Sequence, residues 1–452
     1  MAHRINKTKL VAALAAAASL GMSAAANAVV VVGGDNGWEV SFDGSINAFY
    51  VFSNNDAGWN NLGLNAPGAP NVGDNNEHGF ARSSREDVSR VTSGFIPAFF
   101  SFNVKSPTWN GMTATGRFSF SPAINNSTTK NQLYAGPGGG INGIQGSNID
   151  TREVLVNVEA GWGTVSFGRT LSLFGRQAIL NDMTLFGVGM ANQDSAGVSA
   201  GRSGRGYTYP NFNARFSYKT PVLMGVQAEL GLYDPSIEEL NNLGNTRLNQ
   251  TDKPRLEGEL TYTATLADAT FKGWFDGLWQ EIKTGGQNSF SQDSIDIHGW
   301  GAGATAGYLG FNLTGYYYEG QGLGRSLQFM GGTACEAALV GNILECEAAQ
   351  NDGYYLQGTY TFVGKTKLGL SYGESNQDAF KKNVALGGLV RNQDVSLSMW
   401  TVGVYHDVNS WLKLIAEYSN SKNDFSKNAT DATTFSGKSE SNTFSVGTFF
   451  IW

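Results

Sequence analysis

The feature that most constrains this chain is an alternation of apolar and polar residues that recurs in stretches of about ten residues along most of its length. In GYYLQGTYTFV, Tyr354, Leu356, Gly358, Tyr360 and Phe362 fall on one face of a strand, and Tyr355, Gln357, Thr359 and Thr361 on the other. RLEGELTYT sets Leu256, Gly258, Leu260 and Tyr262 against Arg255, Glu257, Glu259 and Thr261, and ATFKGWFDGLWQ sets Phe271, Phe275 and Trp279 against Lys272, Asp276 and Gln280. Soluble sandwiches show the same period, so alternation alone does not choose between them and a barrel. Three further features choose. Tyr, Phe and Trp gather near strand ends, the strands are long, and short turns such as Gly161-Trp162-Gly163 and Asn409-Ser410-Trp411 alternate with long polar loops at 53–85, 122–150 and 320–352. The pattern predicts an all-β chain folded as a transmembrane antiparallel β-barrel of about sixteen strands. The strands expected are 38–52, 88–104, 112–121, 151–160, 164–169, 214–220, 226–234, 255–265, 269–283, 295–309, 311–319, 353–363, 366–374, 394–408, 412–420 and 440–452. The last presents Phe444, Val446, Phe450 and Trp452 on one face, an aromatic ridge suited to lipid.

The N-terminal segment has a different character. MAHRINKTKL is basic, VAALAAAASLGM is apolar, and Ala26-Asn27-Ala28 is a small-x-small cleavage site, so residues 1–28 read as a secretory signal and 29–452 as the barrel domain. The signal carries three basic residues and no acid, which leaves the remainder more acidic than the formal charge of −7 for the whole chain. That balance, with no run of Lys or Arg, argues against nucleic acid as a partner. Beyond the signal no apolar run reaches the roughly 18 residues of a membrane helix. The two cysteines, Cys335 and Cys346, sit close together in an exported chain and are expected to form one local disulfide.

Strand parity nominates lumenal cations. In MTATGRFSFS the apolar face is Met112, Ala114, Phe118 and Phe120, so Arg117 projects inward with Thr113, Thr115 and Ser119; Arg90 shares a face with Thr92 and Gly94, opposite Val91 and Phe95. Arg169 shares parity with Val165 and Phe167 and is expected to face outward. Gly138 to Gly143 match a dinucleotide-binding pattern but lack the flanking strand and helix. The four histidines show no paired spacing for a metal or a catalytic triad, and His298 reads as a lumenal strand residue rather than a base. No cofactor, metal or enzymatic activity is expected.

The chain resembles the Gram-negative trimeric porin family of general diffusion channels. The resemblance is diffuse, and strongest from Thr151 to Asp234. TREVLVNVEAGWGTVSFGR is similar to that family's fourth and fifth strands, NDMTLFG and GRSGRGYTYPN to its infolded third loop, and ARFSYKTPVLMGVQAELGLYD to the hairpin that follows. The resemblance implies a water-filled homotrimeric channel for passive diffusion of small hydrophilic solutes and ions. It further implies export through the periplasm to the outer membrane of a Gram-negative bacterium, among outer-membrane lipid and lipopolysaccharide. It puts Asp182 in the loop acid position and Arg90, Arg152 and Arg202 around the constriction. Apart from the resemblance, Asp194 is a second loop acid, with two readings open: facing the basic wall or exposed to solvent. Arg117 would then stand between Arg90 and Arg152 as a basic stripe favouring anions. Regular alternation would send Val154 and Val156 inward with Arg152, so either that strand faces a subunit interface on its outer side or the parity breaks there. Two other readings stay open: a solute-specific channel with aromatic steps at Tyr207, Tyr209, Trp274 and Tyr316, and a structural or adhesive barrel without transport.

Overall fold

Strand β2 (Glu39–Asn55) pairs along both of its edges, and this closes the sheet on itself. The computed structural model describes residues 29–34, 36–55, 87–122, 124, 149–191, 198–235, 252–284, 293–329, 333–337, 344–362, 365–379, 394–426 and 437–452. The proposed signal, residues 1–28, lies outside them. Around the barrel from β2 run β3 (Asp87–Thr92) with β4 (Phe99–Lys105), β5 (Thr113–Pro122), β6 (Ile149–Ala160), β7 (Gly163–Leu171), β8 (Phe212–Lys219), β9 (Val226–Tyr233) and β10 (Arg255–Leu266). The circuit continues through β11 (Ala269–Thr284), β12 (Asp293–Tyr308), β13 (Phe311–Gln321), β16 (Gln350–Thr361), β17 (Thr366–Gln377), β18 (Val395–Asp407), β19 (Leu412–Phe425) and β20 (Gly437–Ile451). Each pairs antiparallel with its neighbour, and β20 returns to β2, giving a closed barrel of 16 walls. Short β1 (Val29–Gly33) continues the edge of β2 where β20 stops, pairing with residues 39–42 while β20 covers 45–55. A separate hairpin, β14 (Thr333–Ala337) and β15 (Leu344–Ala348), rises between β13 and β16.

The polarity is inside out relative to a soluble protein. On outward faces Leu230 is 69% exposed and Phe216 64%, whereas the inward Ser101, Thr401 and Ser419 are wholly buried. Outward rings pack against one another across strands, as in Phe275, Trp300 and Tyr317 and in Phe42, Phe100 and Trp452. Among the described residues no helix is long and apolar enough to cross a membrane; the crossing is made by strands.

One expected strand, 88–104, is broken at 93–98. Pro97 brings no N–H to a ladder, and Gly94 lies so close to another segment that a Cβ there would stand 2.5 Å from the Gly187 carbonyl oxygen. Asn47 of β2 spans the break, its Nδ2 donating to the Ile96 carbonyl at 2.9 Å and its Oδ1 accepting from the Gly94 N–H at 2.7 Å. The bend thus presses Phe95 and Ile96 into the lumen.

Candidate functional site: the infolded loop and the throat beside it

In the connection from β7 to β8 (loop L3), residues 172–191 and 198–211 turn into the barrel. Gly175, at φ 77°, allows the reversal that starts α1 (Arg176–Asn181); a 3-10 turn, Met183–Phe186, follows directly. Main-chain groups of this loop are gripped by lumenal side chains of nearby β10 and of β16 and β19 across the barrel. A Glu257 carboxylate oxygen accepts from the Leu173 and Phe174 N–H groups at 2.7 and 3.0 Å, and a Glu417 oxygen from Val188 and Gly189 at 2.7 and 2.8 Å. Gln357 accepts from the Met183 N–H at 2.6 Å and donates to the Asn181 carbonyl at 2.9 Å, while the Tyr355 hydroxyl donates to the Ala178 carbonyl at 2.9 Å. Carboxylates that accept from two N–H groups each make charge-assisted bonds, roughly twice as strong as neutral ones. Arg176 joins Glu229 and Glu259 at 2.8 and 2.7 Å. Burial pulls its pKa down, but the two carboxylates outweigh burial and hold it well above the ordinary arginine value.

A second connection also turns inward. In the loop between β13 and β16, Ser326 accepts through its carbonyl from the Tyr209 N–H at 2.8 Å, and the Gln328 N–H donates to the Tyr209 carbonyl at 3.2 Å. The Arg255 guanidinium lies between the rings of Tyr233 and Phe329, 4.9 and 5.0 Å from their centroids. This segment clamps L3 from the loop rim, where the sequence pattern shows only a long polar connection. Its local signals are Gly322 and Gly324, both at positive φ.

The expected site residues take distinct places. Asp182 is buried inside L3, where it accepts from the Thr184 N–H at 3.0 Å and the Tyr207 hydroxyl at 2.8 Å, with the Arg202 Nε 3.6 Å away. Burial and the Asp182 charge push the Tyr207 pKa well above the ordinary tyrosine value. Arg202 is also fully buried and fastens L3 to the wall by donating to the Met399 carbonyl at 3.1 Å and to the Ser371 hydroxyl. Asp194 lies outside the described residues.

Arg117 faces the lumen on β5, but its charge is matched there. Its Nε donates to Glu153 at 2.7 Å and its Nη1 to Asp43 at 2.8 Å and to Asn103 at 3.0 Å. Arg90 is half-buried near the loop rim, paired with Val51, whereas Arg117 is aligned through Asn103 with Ser41. Ten positions of β2 separate those levels, ~33 Å at ~3.3 Å per residue, so the three arginines do not form one ladder.

Arg152 resolves the parity conflict. Between Ser119 and Phe120 of β5 the register of β6 jumps from Glu153 to Thr151, making Arg152 the extra residue of a β-bulge. Below the bulge Val154 returns to the outward face and Glu153 to the lumen. The Arg152 guanidinium lies 5.6 Å over the Phe212 ring, pairs with Asp150 at 2.8 Å and reaches the Tyr209 hydroxyl at 3.4 Å. Arg169 faces outward, as its parity requires. His298 faces outward too, exposed between Asp296 and Trp300 rather than in the lumen; the alternation was right and the side assigned to it was reversed.

Between L3 and the β4–β6 wall lies a cavity of about 80 Å³. Phe95, Ile96, Phe99, Ile179, Leu185 and Phe212 line it, with Arg117, Arg152, Glu153 and Tyr209 at its polar side. Of the four aromatic residues read as steps, Tyr209 reaches this cavity; Tyr207, Trp274 and Tyr316 are packed in the apolar cluster under L3. Across the lumen, Lys272 donates to the Gln177 side-chain oxygen at 2.5 Å, and the Lys367 ammonium lies 4.7 Å from the Tyr405 ring centroid. Neither makes a salt bridge among the described residues. The inward parity of Lys272 was readable opposite Phe271 and Phe275.

A barrel with an apolar exterior, a polar interior and a loop folded across its lumen is a channel-forming outer-membrane barrel. The family model for the Gram-negative porins matches residues 11–426, and the chain belongs to that family. It is an outer-membrane porin channel, and family and fold together point to a channel rather than an enzyme. Among solved structures it is similar to the outer membrane channel DcaP of Acinetobacter baumannii, with TM-score 0.61 and 13% identity over 94% of this chain and 100% of that one. It is also similar to an anion-selective porin of Comamonas acidovorans, with TM-score 0.52 and 13% identity over 92% and 100%. OmpF of Salmonella typhi, in complex with daunomycin, gives TM-score 0.50 and 10% identity over 92% and 99%. At such identities the likeness is one of fold. A sequence search among curated proteins gives no match.

Proposed function

We propose that the channel passes small hydrophilic solutes and ions by passive diffusion, as a homotrimer in outer-membrane lipid and lipopolysaccharide, after removal of residues 1–28. The observation that carries the reading is the fastening of L3 on both sides of the lumen, through Glu257 of nearby β10 and through Gln357 of β16 and Glu417 of β19 across the barrel, which supports a fixed narrowing rather than a plug free to leave. Membership of the porin family supports the trimer and the passive mode. The matched charges around Arg117 favour weak ionic selectivity over the strong anion preference that an unpaired basic stripe would give. The backbone register sets Cys335 opposite Cys346 on β14 and β15, which supports their pairing as a disulfide.

Single-channel recording of the purified protein in a planar bilayer tests the reading. Large conductance steps in groups of three are expected, with uptake of neutral solutes that falls smoothly with size. A silent bilayer under all voltages would refute it.

A further inference from the structure

The throat beside L3 is unlike a water-filled eyelet, because most of its surface is ring and aliphatic carbon. A sugar crossing it would give up hydroxyl hydration to walls that offer few replacements. A flat apolar ring would lose nothing comparable and would gain contact with Phe95, Ile179 and Phe212. At the polar edge of the cavity two side chains, Arg152 and Tyr209, keep unused hydrogen-bonding capacity among the described residues. All three nitrogens of Arg117 are engaged by Glu153, Asp43 and Asn103, and both Glu153 oxygens are engaged by Arg117 and Thr170. Arg152 uses Nε on Asp150 and Nη1 on the Tyr209 oxygen, and its Nη2 has no hydrogen-bond partner among the described residues. Its Asp150 partner is 56% exposed, so that pairing is a solvent-screened contact that another carboxylate can exchange with. Tyr209 accepts from Arg152 and keeps its own proton to donate.

We propose that this cavity is a transient binding site for small aromatic carboxylates, with the ring between L3 and the bend at Phe95 and Ile96, and the carboxylate on Arg152 Nη2 and the Tyr209 hydroxyl. The inference rests on the channel reading for its physiological meaning and on the cavity for its chemistry. Such a site slows the favoured solute slightly while raising its concentration in the throat, which increases flux when the solute is scarce outside.

The test uses the full-length purified protein, with benzoate as probe and acetate and glucose as comparisons. Benzoate should interrupt the open-channel salt current in a saturable way, and acetate and glucose should not. Arg152→Gln should raise the half-blocking concentration about tenfold, as expected for loss of a charge-assisted bond, and Phe212→Leu should raise it severalfold while leaving acetate unaffected. Block by benzoate no stronger than by acetate, or block unchanged in both variants, would overturn the proposal and leave the channel reading intact. If no current flows in any condition the channel reading fails, and calorimetric titration of the folded protein with benzoate then judges the cavity alone. Heat of binding that disappears in Arg152→Gln upholds the site, and no heat overturns it.

Discussion

Replacing Arg117 by glutamine should turn the throat toward cations. The guanidinium sits between Asp43 and Glu153, whose residues are 1% and 6% exposed, and it is bonded to both carboxylates. Glutamine keeps length and polarity and removes the charge, so the lumen gains a net negative charge at the wall facing L3. At ~7 Å and a water-like dielectric, Coulomb's law gives about 0.6 kcal/mol between that charge and a passing monovalent ion. This is about threefold in local concentration, in opposite senses for cation and anion, so their permeability ratio should move by roughly an order of magnitude. The assay is the reversal potential in a potassium chloride gradient at neutral pH, for wild type and Arg117→Gln. The same change leaves two carboxylates without their cation, which costs about 3–5 kcal/mol where such a pair is buried, so the variant should also lose its heat-resistant mobility on denaturing gels at a lower temperature. An unchanged reversal potential in a folded, conducting variant would refute the placement of this triad on the ion path.

Other outcomes follow from the same contacts. Glu417→Gln removes a charge-assisted acceptor from the Val188 and Gly189 N–H groups, and about 1.5–3 kcal/mol of loop anchoring with it; noisier open-channel current and faster amide exchange at those two positions would show this, and unchanged exchange would count against the latch. For Tyr207, burial and Asp182 raise the folded-state pKa above that of the unfolded chain, so the folded protein keeps a proton that the unfolded chain releases. Stability should therefore be intact below the ordinary tyrosine value of 10.0 and fall as pH climbs past it, with a shallower alkaline decline in Tyr207→Phe by pH-dependent unfolding. Gly168 has φ +123° and a Cβ there would meet the Val154 carbonyl oxygen at 2.1 Å, so Gly168→Ala should cost at least ~1–3 kcal/mol, read as a lower unfolding temperature. Peptide mapping without reductant should recover Cys335 and Cys346 in one cross-linked species; two separate thiol peptides would refute the pairing.

The barrel was legible because a lipid-facing wall imposes a strict period of two on residues such as Leu356 and Gln357, and because aromatic belts and unequal connections distinguish lipid from a sandwich core. The β3–β4 break was less so: Gly94 and Pro97 mark it only once the approach of Gly187 is known. Arg152 shows the limit more sharply. A bulge changes no residue, so the sequence registered it only as a conflict with Val154 and Val156. The partners of Arg117 were hidden for another reason, since Asp43 and Glu153 reach it from two different strands and no local pattern carries such pairings. Lys272 could be assigned to the lumen but not to a role, because its relation to L3 depends on how a loop nearly a hundred residues away in the chain folds back.

The seam at β2 has a consequence in time. Its ladder with β20 joins residues 45–55 to 441–451, so the first wall must wait for the last before its free N–H and C=O groups are covered. Bringing ends so distant together costs about 5 kcal/mol in loop-closure entropy alone, by the logarithmic dependence on loop length. Closure is therefore a late and slow event, and during it the chain carries an open strand edge able to join that of another molecule. What limits production of this channel is then how long that edge is kept from other chains, more than how stable the finished barrel is.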